Sequence, residues 1–275
     1  MLDSLLSLPT CWERLRQTQK PVIMYGMGNG ADHILYHLDR MGVAVQDFFA
    51  SDGFVRGQSF HGKRVKRLAE VEERYRDFVI ITAFAVQDKP TMDAIFALAN
   101  RYELYAPDVP VAGQNLFDRD FLAAHLPEAE AALSLLADER SRQTYRDLIA
   151  YKLTGQVGYL AATASPRGEA FSDLLCLGGE ESFADLGAYN GDTVAEFLAQ
   201  TGGRFRAIYA LEPDPKNYRK LCRRAEELGL VPGERVRLWN LAAWDDREKL
   251  FFASKAGRNS AVAAAGREVP ADSLD

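Results

Sequence analysis

Strand-type and helix-type segments alternate in two series along this chain, separated by a stretch that lacks strand character. Such a pattern leaves room for little besides two parallel-sheet α/β units. In the first series, residues 1–19 read as one short amphipathic helix and Pro21–Tyr25 as a strand. Ala31–Met41 carries apolar residues at helical spacing (Ile34, Leu35, Leu38), with Gly42 as its stop. Val43–Ala50 reads as a strand, Arg67–Arg74 as a helix and Phe78–Phe84 as a fully buried strand. Thr91–Tyr102 is helical and Glu103–Ala106 a fourth strand. Residues 111–153 then lose the strand signal, and Ala129–Leu153 has the spacing of one or two helices. The alternation restarts with Ser182–Leu186, and further strands are expected at Arg206–Leu211, Arg235–Leu241 and Lys249–Ala253. The expected architecture is α/β: two Rossmann-like, doubly wound parallel-sheet domains joined by a helical segment, the second incomplete. The boundaries fall at 1–128, 129–170 and 171–275, with the connection itself in the small, polar run 154–168.

Composition removes several function classes. At about 150 residues per domain, 275 residues allow two units. The net charge of −6 argues against a nucleic-acid backbone as main partner, because such binding needs a basic face. No apolar run approaches the roughly 20 residues of a membrane span, and the N-terminal segment lacks the basic start of a signal peptide. Cys11, Cys176 and Cys222 are scattered, giving neither a disulfide framework nor a zinc motif. A cytoplasmic location is the expectation. His33 and His37 stand four apart on one helix without visible acidic or thiol companions, which fits packed or surface histidines better than a metal pair. The basic positions of 219–224 fit a solvated helix face.

The densest chemical signal is Phe183-Ala-Asp-Leu-Gly-Ala-Tyr-Asn-Gly-Asp-Thr193, a strand, a glycine turn and a helix start. Gly187 and Gly191 allow close approach to the backbone. Thr193 and Glu196 have the spacing of a capping box. The next strand ends in Glu212-Pro213-Asp214-Pro215, with Asp214 as N-cap and Pro215 as first helical residue. Glu212 thus sits at the carboxyl end of a strand, where doubly wound sheets bind ligands and where an acid can accept both hydroxyls of a ribose. Its distance from Gly187 is close to the roughly 20 residues between a glycine loop and its ribose acid. Asp185 and Asp192, flanking the loop, would repel a pyrophosphate and suit a cation. S-adenosylmethionine, a sulfonium with an ammonium group, fits those charges better than a nicotinamide dinucleotide.

FADLGAYNGDT, IYALEPDPKNYRKL, VRLWNLAAWDDREKLFF and GRNSAV…VPADSLD, in this order, resemble the FkbM-type S-adenosylmethionine-dependent methyltransferases over about 171–275. The resemblance implies that Asp185, Gly187, Ala188, Tyr189, Asn190 and Gly191 line the methionine part of the cofactor. It implies that Glu212 holds the ribose and that Asn240 to Ala243, Ala242 among them, lie near the adenine. With Asp192, Thr193 and Asp214 these form the expected cofactor-binding set. The resemblance also implies a seven-stranded sheet of which this sequence carries the first half. The acceptor site and any general base are expected beyond Asp275, so no catalytic residue is named. O-methylation of a hydroxyl on a sugar or other small-molecule acceptor follows from the resemblance alone.

A second, weaker loop, Tyr25-Gly26-Met27-Gly28-Asn29-Gly30-Ala31, reads as the G-x-G-x-x-A variant of the dinucleotide fingerprint, with Asp52 as ribose partner. The run from Gly53 to Lys63 resembles the Rossmann-like N-terminal domain that accompanies some FkbM-type proteins, which looks suited to a nucleotide or nucleotide sugar. Three functions therefore compete. The first is a methyltransferase. The alternative is a nucleotide or nucleotide-sugar binding module with an inactive methyltransferase half. The third, a nicotinamide-dependent oxidoreductase, has no recognisable catalytic dyad. An incomplete sheet leaves an apolar edge, so either a second copy of the chain, in a homo-oligomer, or the remaining segment of the domain is expected to cover it.

Overall fold

A computed structural model describes residues 2–84, 86, 89–110, 115–253, 261–262 and 266–273. The chain divides into two units, Met1–Ala164 and Ser165–Asp275. Residues 257–260 of the resembling stretch lie outside the described residues.

The first unit opens with a 3-10 turn, Leu2–Ser7, and helix α1, Cys11–Gln17. One helix was expected over 1–19. Pro9 divides it, because proline cannot donate to the preceding turn. Thr10 then restarts the chain as N-cap of a complete capping box with Glu13. Next come β1 (Val22–Tyr25), α2 (Asn29–Arg40), β2 (Val45–Phe49), the short pair β3 (Ser59–Phe60) and β4 (Lys63–Arg64), and α3 (Leu68–Arg74). β5 (Val79–Thr82), α4 (Lys89–Ala99) and β6 (Glu103–Tyr105) complete the sheet region. β2, β1, β5 and β6 form one parallel sheet in that order. Alternate strand residues serve opposite faces. Met24, Phe48 and Ile81 pack with Ile34 and Leu38 of α2 and Trp12 and Leu15 of α1. Ile23, Phe49 and Ile80 pack with Val71 of α3 and Ile95 and Leu98 of α4. Burial on both faces is what makes these strands continuously apolar in sequence.

Helices α5 (Arg119–Ala124), α6 (Leu126–Leu135), α7 (Glu139–Thr154) and α8 (Val157–Thr163) follow. The segment expected to connect two domains over 129–170 is instead largely part of the first unit. Leu133, Ile149 and Leu153 share a core with Leu2 and Leu122, and Val157 enters the sheet's second core. Apolar faces on these helices need an apolar partner, and the N-terminal turn supplies it.

The second unit begins with α9 (Arg167–Glu169) and a following π-helical turn, Ala170–Leu175. Then come β7 (Ser182–Leu186), α10 (Asp192–Gln200), β8 (Ala207–Leu211), α11 (Pro215–Glu227) and β9 (Val236–Trp239). The three strands form a parallel sheet in the order β7-β8-β9. A three-layer unit was expected here. Among the described residues both helices cover one face: Phe183, Ile208, Ala210 and Val236 pack with Val194 and Phe197 of α10 and Leu221 and Ala225 of α11. Two successive right-handed crossovers running the same way place both helices on the same side. Leu186 on the other face is 49% exposed. β10 (Ala242–Ala243), β11 (Glu248–Ala253), β12 (Ala261–Val262) and β13 (Arg267–Asp272) form a separate mixed sheet, with β11 antiparallel to β13. The strand expected at Lys249–Ala253 therefore exists, outside the parallel sheet.

Candidate functional site

β7 ends at Leu186 and the chain turns over the end of β8. The N–H groups of Gly187 and Ala188 both donate to the Leu211 carbonyl, each at 2.9 Å. Gly187 has φ +128° and no heavy atom within 4 Å of where a Cβ would stand, so its backbone faces open space. Gly191, at φ +79°, is needed for a different reason. A Cβ there would lie 3.1 Å from Leu221 Cδ1 of α11. The Gly191 N–H closes the turn on the Ala188 carbonyl at 2.7 Å. Between them Tyr189 holds a left-handed φ of +46°, which costs about 1–2 kcal/mol for a residue with a side chain. The Lys220 ammonium lies over its ring, 5.2 Å from the centroid. Asn190 accepts from the Asp192 N–H at 3.3 Å, a local turn within the loop.

Glu212 follows β8 and is only 6% exposed. Its carboxylate is turned back towards the glycine loop. One oxygen accepts from the Tyr189 N–H at 2.7 Å and the other from the Asp214 N–H at 2.8 Å. The Asn217 side chain also bonds this carboxylate, which leaves about one of its roughly four acceptor positions for a further donor. Burial raises the Glu212 pKa above the ordinary carboxylate value, although the two backbone bonds oppose it. Asp185, at the end of β7, receives the Thr193 hydroxyl. Its pKa is also raised, by burial and by the Asp192 charge, with the Thr193 bond pulling the other way. Among the described residues neither Asp185 nor Glu212 is ion-paired to a lysine or arginine. The sheet edge thus holds partly desolvated carboxylates whose charge a cation would relieve.

The structure brings Asp185, Gly187, Ala188, Tyr189, Asn190, Gly191, Asp192, Thr193 and Glu212 to this one edge. Asp214 caps α11 as expected, accepting from the N–H groups of Lys216 and Asn217. Asn240 serves the turn itself: its amide donates to the carbonyls of Glu212 (2.7 Å) and Pro213 (3.0 Å). One expectation is corrected. Thr193 does not cap α10. Gly191 occupies that position without a capping side chain, and the Thr193 hydroxyl is drawn to the nearby Asp185 carboxylate. Ala242 is buried with Leu250, Val269 and Ala271 in the core of the mixed sheet, so its side chain is spent on packing. Lys220 was missed as a site residue because its sequence neighbourhood reads as a solvated face, and only the fold carries it over Tyr189.

The donor chemistry of this edge is compatible with S-adenosylmethionine: a buried acid suits a ribose hydroxyl, the desolvated Asp185 suits positive charge, and the bare backbone of Gly187 leaves room for approach.

The first unit's loop is built differently. A Cβ on Gly26 (φ +119°) would lie 2.7 Å from Phe84 Cδ1, and one on Gly30 would lie 2.5 Å from the Ala83 carbonyl oxygen. These glycines answer to the packing of the β5 end against the loop. Gly28, at φ +111°, is the one of the three that faces open space. Asn29 opens α2 and Ala31 is fully buried. Asp52 is exposed and starts a 3-10 turn. The crevice beside this loop is lined by its neighbours Ser51 and Phe54. His37 is buried beside Trp12 and Tyr36, at 5.8 and 5.1 Å between ring centroids. No cluster of three metal-ligating side chains exists among the described residues, and no helix there is long and apolar enough to cross a membrane.

No protein-family profile and no curated protein matches this sequence. Among solved structures, the chain is similar to the crystal structure of methyltransferase FkbM from Methylobacillus flagellatus. The likeness has a TM-score of 0.58 at 15% identity and covers 99% of this chain and 74% of that one. The chain has the FkbM-type methyltransferase fold. That fold agrees with the family resemblance of 171–275. At this identity the likeness speaks for the fold, and the chemistry has to be argued from the site.

Proposed function

We propose that the second unit binds S-adenosylmethionine and that the protein is a methyltransferase acting on a hydroxyl of a sugar or other small metabolite. The observation that carries the reading is Glu212. It is a buried carboxylate at the carboxyl end of β8, joined by one hydrogen bond to the glycine loop and without a cationic partner among the described residues. When bound, the cofactor supplies an electrophilic methyl carbon on a positively charged sulfur. Glu212 would accept a ribose hydroxyl at its remaining acceptor position and thereby orient the adenosine. Asp185 favours the positive end of the ligand, and Gly187 admits it by lacking a side chain. Holding the donor in line with an acceptor oxygen supplies much of the catalytic advantage in such a transfer. The hydroxyl acceptor class rests on the family resemblance.

Calorimetric titration of the full chain with S-adenosylmethionine and S-adenosylhomocysteine tests the reading. Both should bind, and Glu212→Ala should weaken both at least about tenfold, as expected for losing hydrogen bonds to a charged group. A folded wild-type protein that binds neither compound overturns the proposal.

A further inference from the structure

We infer that the first unit carries a second ligand site, separate from the Glu212 edge, that takes a flat heteroaromatic ring such as the base of a nucleoside. The site is a crevice of about 320 Å³ beyond the carboxyl ends of β1, β2 and β5. β1 is the point where the chain's order reverses, with β2 on one side and β5 on the other. Open parallel sheets leave their natural cleft at such a reversal. The volume lies at the small end of the range for ligand pockets.

The walls are aromatic and held in place. Tyr25 stacks on Phe49, with centroids 4.5 Å apart and planes 7° from parallel, and meets Phe84 edge-on at 4.8 Å. Phe54 stands at the mouth, 65% exposed, and Phe84 is 36% exposed. Large apolar rings left in water at a concave surface are costly, and a flat ligand would cover them. The turn that carries Phe54 is anchored. The Gln58 amide donates to the Phe54 carbonyl at 2.7 Å and contacts the Met27 sulfur at 3.4 Å, tying two parts of the wall together. At the inner end, the Tyr25 and Ser51 hydroxyls share a hydrogen bond of 2.6 Å. One of the two retains a donor or acceptor role for a ring heteroatom.

Among the described lining residues the character is apolar and hydroxylic, with no lysine, arginine, aspartate or glutamate. Gly26 and Gly30 are occupied by Phe84 and Ala83. The part of the crevice between Phe54 and Phe84 therefore has the shape and lining for a ring. Aromatic walls with one hydroxyl pair suit a nucleobase, which offers π-faces and edge polar atoms together.

Saturation-transfer NMR on the full chain with adenosine, uridine and cyclohexanol tests the inference. At least one nucleoside should show transfer and cyclohexanol should show far less. Phe54→Ala, at an exposed position that leaves the cores intact, should weaken nucleoside binding about tenfold, the scale of one base–aromatic stack. Ser51→Ala should weaken it less and leave the circular dichroism unchanged. The inference is overturned if neither nucleoside binds at millimolar concentration. It is equally overturned if cyclohexanol binds as well as the nucleosides, or if Phe54→Ala leaves binding unchanged. The last result would put any adenosine signal at the Glu212 edge instead.

Discussion

Replacing Asp185 by asparagine should strengthen the fold and weaken the site. The substitution keeps the shape and keeps an oxygen to accept the Thr193 hydroxyl. It removes a carboxylate whose pKa is raised by burial and by the neighbouring Asp192 charge. A carboxyl group with a folded pKa above its unfolded one costs stability once the pH exceeds the unfolded value, because the unfolded chain ionises more readily. At neutral pH the asparagine variant should therefore gain about 0.5–2 kcal/mol, the usual yield of relieving an unfavourable charge. For a unit of this size that is a rise in Tm of very roughly 2–8 °C. The gain should shrink as pH falls through the raised pKa of Asp185 and vanish below the unfolded aspartate value, where both states carry the proton. Affinity for S-adenosylmethionine should move the other way, falling about tenfold or more with the loss of a charge-assisted contact. Thermal melts by circular dichroism across acid to neutral pH, with calorimetry alongside, read both effects. A variant that melts lower than wild type at neutral pH, or a difference that ignores pH, refutes the argument that Asp185 is held ionised against the preference of the fold.

Other substitutions probe the scaffold around the two crevices. Asp214→Ala removes the acceptor for two first-turn N–H groups of α11. It should cost about 1 kcal/mol in urea denaturation, and a neutral result would mean that the turn is held by Asn240 alone. Gly30→Ala would ordinarily help a helix by about 1 kcal/mol. Here the new Cβ would meet the Ala83 carbonyl oxygen at 2.5 Å, so a loss of about 1–3 kcal/mol is expected. A stabilised variant would show that the loop does not need this close approach. The Glu212→Ala and Phe54→Ala titrations complete the set and report on separate units.

Much of the second unit's site could be read in the linear chain because its signals are local. Asp214 and Pro215 announce the start of α11 within a single turn, and the structure has them there. Gly187 and Gly191 mark the turn, and both have positive φ. The placement of Glu212 at a strand end follows from counting along β8. In the first unit the glycines were equally visible, but their purpose was not. The same spacing serves either a ligand or the close approach of Ala83 and Phe84, and only the three-dimensional neighbour decides between them.

By itself the sequence determined the two runs of alternating elements, the glycine turn and the acid after β8, since each depends on residues within a few positions of one another. The tertiary structure decided that Thr193 reaches back to Asp185 rather than capping its own helix. It also decided that α6 and α7 join the N-terminal turn, that α10 and α11 share one face, and that Ala242 is core. Each of those outcomes is a choice among partners far apart along the chain. A hydroxyl, an apolar helix face or an alanine has many acceptable partners, and the chain's path through space selects the one that is met.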